Sequence, residues 1–346
     1  MMQKARDGAT DARYDFTGDE RPHPLTVSFG FLLFVAVLPL LVKSPYWLGV
    51  VIVAMYFAML AAAWNLLSGY VGQISLAPAA FAMLGGYTSG LLWHHLGIAP
   101  LIGIGSAVVV TALLGLFLGR ITFKLSGPYF TLTTLGFAEI SRLIMANSLK
   151  WTRGDLGLHL PPLLSNRVHT YYLFIIVLAL VQLGLYGLLR SRAGLFLQAI
   201  RDDEIAAAGR GVDVVRWKTI AFALSSAICG LGGALYVHFS QLASPEMGLI
   251  LQSGLVLSMV VVGGLGTLVG PLVGAFIVQV SSEMLRMVGV RHMLVFALLV
   301  IIIGRFMRHG LWGAAEQWIV ARRRRRRMAA RGMAPHGKEG AGGWVP

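Results

Sequence analysis

Polar side chains within otherwise apolar stretches are the residues of this sequence with the most scope for chemistry. In lipid each of them costs free energy unless it faces protein or a water-filled path. Gly72 and Pro78 predict a break in the helical stretch that precedes them, and half-helix ends at such a break are a recurrent way to hold a small solute. The candidates for a solute path are Asn65, Gln73, Ser75, Thr134 and Glu139.

Glu139 and Arg142 lie three residues apart, on one face of a predicted helix. One interpretation is an internal ion pair, which offsets the cost of placing two charges in a membrane. The other is a site that couples transport to an ion gradient. The sequence is compatible with both.

Signatures of catalysis and of metal binding are absent from the sequence. Neither His-Glu-x-x-His nor a pair of Cys-x-x-Cys motifs occurs. Gly332–Lys338 has phosphate-loop spacing, but Glu339 replaces the hydroxyl residue that holds magnesium, and no strand precedes it. We therefore expect no enzyme activity, no catalytic residue, no metal and no cofactor on this chain. If ATP drives the protein, another chain holds the nucleotide.

The composition indicates an all-α, polytopic membrane protein. Of the 346 residues, 56% are hydrophobic and 13% are charged, and the mean hydropathy is +0.72, whereas soluble domains are about 25% charged. Apolar stretches recur from 25 to 308, between a polar segment at 1–24 and a basic tail at 309–346. A membrane helix needs about 20 mostly apolar residues. Ten stretches qualify, with the third, fifth and eighth as candidates for broken or re-entrant helices: 25–43, 46–68, 79–96, 101–119, 128–148, 170–189, 217–239, 250–263, 271–287 and 292–307.

Basic residues predict the orientation of these spans. The segments on one side carry 22 Lys and Arg and those on the other side carry 6, and cytoplasmic segments are the ones that collect these residues. Both termini are therefore expected in the cytoplasm. The net charge of +14 does not indicate nucleic acid, because its densest run, Arg322–Arg327, directly follows the last apolar stretch. That run suits anionic membrane lipid or solvent.

Residues 190–218 form the longest polar loop of the apolar region, on the predicted cytoplasmic side. Residues 195–208 favour a short helix, which Gly209 and Gly211 end. Such a helix can dock against another protein or lie on the lipid surface. Residues 202–204 are all acidic, so anionic lipid would repel them, and we favour docking.

Three blocks of sequence follow one another over most of residues 60–275. They are Trp64–Leu76 with Ala79–Phe81 and Gly86–Thr88; Gly127–Phe130 with Thr134–Ile140 and Thr152–Leu158; and Ser191–Gly194 with Ala199–Ala207, Ser244–Pro245 and Gly263–Pro271. Together they resemble the LivM-type permeases of branched-chain amino acid ABC importers. The sequence departs from that family at Ala77-Pro78, where relatives usually have Gly-His.

The resemblance implies a permease subunit of the bacterial inner membrane. It would work with a second homologous permease, two cytoplasmic ATPase subunits that hold ATP, and a periplasmic solute-binding protein. The solute would be a branched-chain amino acid or a related small solute. The alternatives are a permease for urea or short amides, and an autonomous secondary transporter. The ATPases would act through residues of a coupling segment, namely Arg201, Asp202, Glu204, Ala207 and Gly211.

Overall fold

The computed structural model describes residues 24–41, 44–123, 129–286, 310–313 and 316. Several predicted features lie outside these residues: the polar segment up to residue 23, the tenth span at 292–307, Gly127 of the second block, and the tail beyond 316 with Arg322–Arg327. Within the described part, Pro24–Gly313 forms one compact unit.

Helices make up nearly all of the described chain, which confirms the all-α prediction. The helices are α1 Pro24–Leu41, α2 Pro45–Tyr70, α3 Pro78–Leu96, α4 Pro100–Thr122, α5 Tyr129–Asn147, α6 Leu149–Thr152, α7 Arg167–Arg190, α8 Arg192–Asp202, α9 Glu204–Gly209, α10 Val214–Ser240, α11 Ile250–Gly263 and α12 Gly270–Arg286. Two 3-10 helices, Gly154–Leu156 and Pro245–Gly248, and one antiparallel pair, β1 Leu158–His159 with β2 Leu242–Ala243, lie in the connections. Each of the first nine predicted spans coincides with a helix to within a few residues. By length and hydropathy, α2, α4, α7 and α10 suffice to cross a membrane.

Proline and glycine explain where several of these helices begin and end. α2, α3 and α4 each begin with a proline, which fits the first turn because an N–H at that position has no partner within the helix. α2 ends at Tyr70, and Gly72 adopts a φ of +80°, which glycine reaches without strain. The predicted break between Gly72 and Pro78 is therefore confirmed.

α2 and α10 form the centre of the bundle. In their most apolar 18-residue stretches 89% and 78% of the residues are buried, against 28% in both α4 and α7. Glycines let α3 and α10 touch along their backbones: a Cβ on Gly233 would overlap the Ala82 carbonyl, and one on Gly85 would overlap Gly230. Small residues at such crossings are a common device where helices pack in lipid.

Successive long helices alternate in direction, so the connections gather at two ends of the bundle. At one end, called the coupling end, α2 finishes, α3 begins and residues 190–218 lie. At the other, called the far end, α2 and α7 begin and α10 and α12 finish, with Pro45, Arg167, Ser240 and Arg286 around one cavity.

Candidate coupling segment and solute path

Two short helices connect α7 to α10, where the sequence predicts one helix over 195–208. α8 ends at Asp202, and Asp203 adopts an extended backbone. The Asp203 carboxylate accepts hydrogen bonds from the N–H groups of Ile205 and Ala206, both at 2.9 Å, and so caps a new helix. The prediction of one uninterrupted helix is wrong because helix propensity alone ignores this cap. The predicted stop is confirmed, since α9 ends at Gly209.

The outer surface of α8 and α9 combines charge with exposed apolar side chains. Ile205 is 86% exposed and Leu195 is 64% exposed, and Phe196 lies beside Leu195. We call these three residues the docking surface, after the predicted docking of this segment against another protein. Sequence reasoning counted Leu195 and Ile205 only as helix-compatible. Their apolar character within a polar loop is the signal that could have found them.

The predicted coupling residues divide into two groups. Asp202, Glu204 and Gly211 lie on the exposed side of the segment, where a partner can reach them. Ala207 is buried, with 4% of its surface exposed, and the Arg201 guanidinium turns towards α2. The role of all five in coupling stays a prediction; Ala207 could act only through the bundle, whereas Arg201, 43% exposed, contacts the bundle and is also open to a partner.

Arg201 ties α8 to the end of α2. Its Nη1 donates a hydrogen bond to the Gly69 carbonyl oxygen at 2.8 Å. This carbonyl belongs to the last turn of α2, where a cation is favourable both for the helix dipole and for an oxygen without a partner inside the helix. Neighbouring glycines leave room for the side chain: a Cβ on Gly72 or on Gly266 would each lie 3.2 Å from an Arg201 atom.

Asn65 extends this connection to the loop between α11 and α12. Its Oδ1 accepts a hydrogen bond from Gly266 N–H at 2.8 Å, and its Nδ2 donates to the Thr267 carbonyl at 2.8 Å. Gly266 has a φ of +74°. Asn65, Gly69, Arg201, Gly266 and Thr267 are therefore neighbours, and we call them the coupling cluster. Through it, α8, α2 and the α11–α12 loop are joined by hydrogen bonds.

A second connection ties α9 to α10. Lys218 Nζ lies 2.6 Å from Glu204 Oε2, and the Lys218 side chain is 6% exposed while that of Glu204 is 52% exposed. The Lys218 ammonium also lies 5.9 Å from the centre of the Phe123 ring, a favourable arrangement for a cation. Replacing Glu204 would leave the Lys218 charge buried and unpaired, so Glu204 is a poor position at which to test docking alone.

The break between α2 and α3 is held by side chains of the solute-path candidates and their neighbours. Ser68 Oγ donates to the Gln73 carbonyl at 2.9 Å, and Trp64 Nε1 donates to the Ser75 carbonyl at 2.7 Å. Thr134 Oγ1, on α5, accepts from the Leu76 N–H at 3.1 Å. These bonds satisfy backbone groups that the break frees, as non-helical backbone at membrane depth requires. Gln73, Ser75 and Thr134 are thus brought together, while Asn65 belongs to the coupling cluster.

Glu139 and Arg142 form an ion pair within α5. Arg142 Nε donates to both carboxylate oxygens of Glu139, at 3.1 and 3.2 Å, and the guanidinium makes a further close contact with Oε1. The ion pair is therefore present, with the Arg142 side chain 22% and the Glu139 side chain 43% exposed, and a role in coupling to an ion gradient stays a prediction. Glu139 has no hydrogen bond to the other four path candidates among the described residues.

A cavity with charged residues in its wall lies at the far end of the described chain. Its volume is about 640 Å³, and α2, α10, α11 and α12 contribute most of its wall. None of the five path candidates lines it; Asn65 borders a separate space of about 10 Å³ nearer the coupling end. Between the two, Ala58, Met59, Leu60 and Ala61 of α2 are all fully buried. The role of the five candidates in a solute path stays a prediction.

Comparison with known proteins gives one consistent result. A family model described as the permease component of a branched-chain amino acid transport system matches residues 46–304. The branched-chain amino acid permease protein LivM of Escherichia coli K12 is 31% identical over 74% of this chain and 68% of its own length. LivM of Salmonella typhimurium is 30% identical over 67% of this chain and 62% of its own length, and the fructose import permease FrcC of Rhizobium meliloti is 28% identical over 71% of each. The chain thus spans about two thirds of these LivM relatives. No solved structure matches.

Proposed function

The chain belongs to the family of branched-chain amino acid transport permease components, and on that premise we propose that it is the membrane-spanning subunit of an ABC importer for branched-chain amino acids. It carries no catalytic step itself. ATP hydrolysis on separate subunits would move the coupling segment. This movement would shift the helical bundle between a state whose path opens to one side of the membrane and a state whose path opens to the other.

One observation carries the proposal: the short helices that carry the exposed docking surface also carry Arg201, which bonds to the end of α2. Leu195, Phe196 and Ile205 are presented outwards. Arg201, on the same helix as Leu195 and Phe196, donates a hydrogen bond to the end of α2. A partner that pushes on α8 would therefore act on the helix break and on the α11–α12 loop through short, direct contacts. A segment that only connects two spans needs neither feature.

The expected partners follow from this role. Two cytoplasmic ATPase subunits would bind the docking surfaces of this chain and of a second, homologous permease. A periplasmic solute-binding protein would deliver the amino acid at the far end. ATP would be held by the ATPase subunits.

The membrane arrangement that we propose has ten spans, both termini in the cytoplasm, and a location in the bacterial inner membrane. The excess of Lys and Arg on the side of residues 190–218 supports it. Cys229 is buried with 0% exposure, so single cysteines introduced elsewhere can be labelled against a low background. A cysteine at Ile205 is expected to react with an impermeant reagent only from the cytoplasm, and one at Leu156 only from the periplasm. The reverse pattern would overturn the orientation.

Docking is tested with a matched pair of substitutions. Ile205→Asp places a charge on the most exposed residue of the docking surface. Leu156→Asp makes the same change at an 82% exposed position of the far end. We expect Ile205→Asp to abolish co-purification of the ATPase subunits and uptake of labelled leucine, and Leu156→Asp to retain the ATPase subunits. Retention by both variants would refute the docking surface, and uptake by this chain without ATPase subunits would refute the importer.

A further inference from the structure

The far-end cavity has the size of a small-molecule site. Its volume of about 640 Å³ falls within the range of about 300–1,000 Å³ typical of ligand pockets. It reaches from Pro45 to Phe57 along α2, a depth of about 18 Å at the helical rise per residue. Beyond Phe57, residues Ala58–Ala61 of α2 are fully buried and are not part of the cavity wall.

Two helices that pack against each other, α2 and α12, contribute much of the cavity's chemistry. On α2, the residues that face it are mostly apolar and follow a helical repeat: Gly49, Val50, Val53 and Phe57. On α12 the residues at the same kind of spacing are polar: Gln279, Ser282, Glu283 and Arg286. A ligand in the cavity could therefore contact hydrocarbon from α2 and polar or charged groups from α12.

The charges that line the cavity balance. Arg167 and Arg286 are positive, and Glu246 and Glu283 are negative. Glu283 is already matched, because the Tyr46 hydroxyl donates to its carboxylate and Arg286 Nη1 lies 3.6 Å away. Equal numbers of both signs suit a solute that is itself neutral but carries both charges.

Other polar groups of the cavity are available to a ligand. Glu246 and the side-chain amides of Gln252 and Gln279 make no hydrogen bond to any residue that the structure describes. Arg167 uses only Nη1 in an observed bond, to the Pro45 carbonyl at 3.0 Å, and this bond holds the guanidinium at the cavity rim. A carboxylate and a guanidinium are thus left to recognise opposite charges.

We propose that this cavity is a binding site for a small zwitterion with an apolar side chain, so that the permease itself selects amino acids. Glu246 receives the ammonium group, Arg167 receives the carboxylate, and the side chain lies against Val50, Val53 and Phe57. An uncharged sugar could hydrogen-bond to these groups but would neutralise neither charge, and a singly charged solute would leave one of them unmatched. The proposal rests on the proposed function for the identity of the solute, but the cavity and its charges are independent of that function.

The test measures binding to the purified full chain in lipid nanodiscs, without partner subunits. Labelled L-leucine is competed with 4-methylpentanoate, which lacks the ammonium group, with leucinamide, which lacks the carboxylate, and with fructose. We expect each competitor to bind at least about tenfold more weakly than L-leucine, since each loses a charged hydrogen bond. Glu246→Gln should weaken L-leucine about tenfold and leave 4-methylpentanoate unchanged. Asp155→Asn, the same change at an exposed far-end position outside the cavity wall, should alter neither.

Three outcomes would overturn the site. These are binding of fructose or 4-methylpentanoate as tight as that of L-leucine, an equal loss of both ligands in Glu246→Gln, and no saturable L-leucine binding to the folded chain. Uptake of leucine by the assembled transporter is measured separately. Normal uptake without binding refutes the site and leaves the proposed function standing, whereas selective binding without uptake supports the site and refutes the function.

Discussion

The contact between Arg201 and Gly69 leads to a quantitative prediction for Arg201→Ala. The substitution removes the hydrogen bond of 2.8 Å to the last turn of α2. A hydrogen bond with a charged donor contributes about 1.5–3 kcal/mol. Because the Arg201 side chain is 43% exposed, we take the contribution of this bond from the low end of that range, about 1.5 kcal/mol. The ion pair of Arg201 with Asp202, at 3.6 Å and exposed, adds roughly 0–1 kcal/mol at most.

This free energy limits how strongly α8 can bias α2. A motion of α8 shifts the bundle only by the difference in interaction between its two states, and about 1.4 kcal/mol corresponds to a tenfold change in an equilibrium. We therefore expect Arg201→Ala to lower leucine uptake per ATP hydrolysed about tenfold. ATP hydrolysis itself should continue, because the docking surface is intact.

The assay uses proteoliposomes that contain the assembled transporter, with ATP hydrolysis and leucine uptake measured on the same vesicles. Arg216→Ala is the control, since Arg216 is exposed and its side chain has no bond to a described residue. Arg201→Lys keeps a cation with shorter reach and should give an intermediate ratio. Unchanged uptake per ATP in Arg201→Ala, or loss of the ATPase subunits from the complex, would refute the connection through Gly69.

The packing of the bundle and the Glu204–Lys218 pair lead to two more predictions. Gly233→Ala should lower stability by about 1–3 kcal/mol through overpacking, seen as a lower thermal midpoint in detergent, because its Cβ meets backbone of α3. Gly184→Ala, with no atom within 4 Å of the added Cβ, should be neutral or stabilising, and equal midpoints would contradict the close crossing. Glu204→Gln should lower the free energy of unfolding by about 1–3 kcal/mol and should speed amide exchange in α9. The loss is smaller than the roughly 3–5 kcal/mol expected when a fully buried ion pair is broken, because Glu204 is half exposed. The control is Asp202→Asn, a change at an exposed position. If the amides of α9 exchange as slowly in Glu204→Gln as in this control, the Glu204–Lys218 pair does not stabilise α9.

The sequence by itself determined the elements of this protein. Runs of apolar residues of span length predicted nine helices to within a few residues, because hydropathy and length are properties of a local stretch. The break at Gly72–Pro78 and the stop at Gly209 were equally local, since they follow from what proline and glycine allow the backbone to do. Asp203 shows the limit even at this level, because a single side chain that caps its own neighbours divided one predicted helix into two.

Only the tertiary structure decided which side chains of these elements contact one another. Arg201 and Gly69 are 132 positions apart and Tyr46 and Glu283 are 237 apart, so neither pair could be read from spacing along the chain. The same holds for Lys218, whose burial makes Glu204 an internal partner rather than a free surface charge. A site in a helical bundle consists of the faces that different helices present to one another, and those faces are fixed by packing over the whole molecule rather than by any one segment.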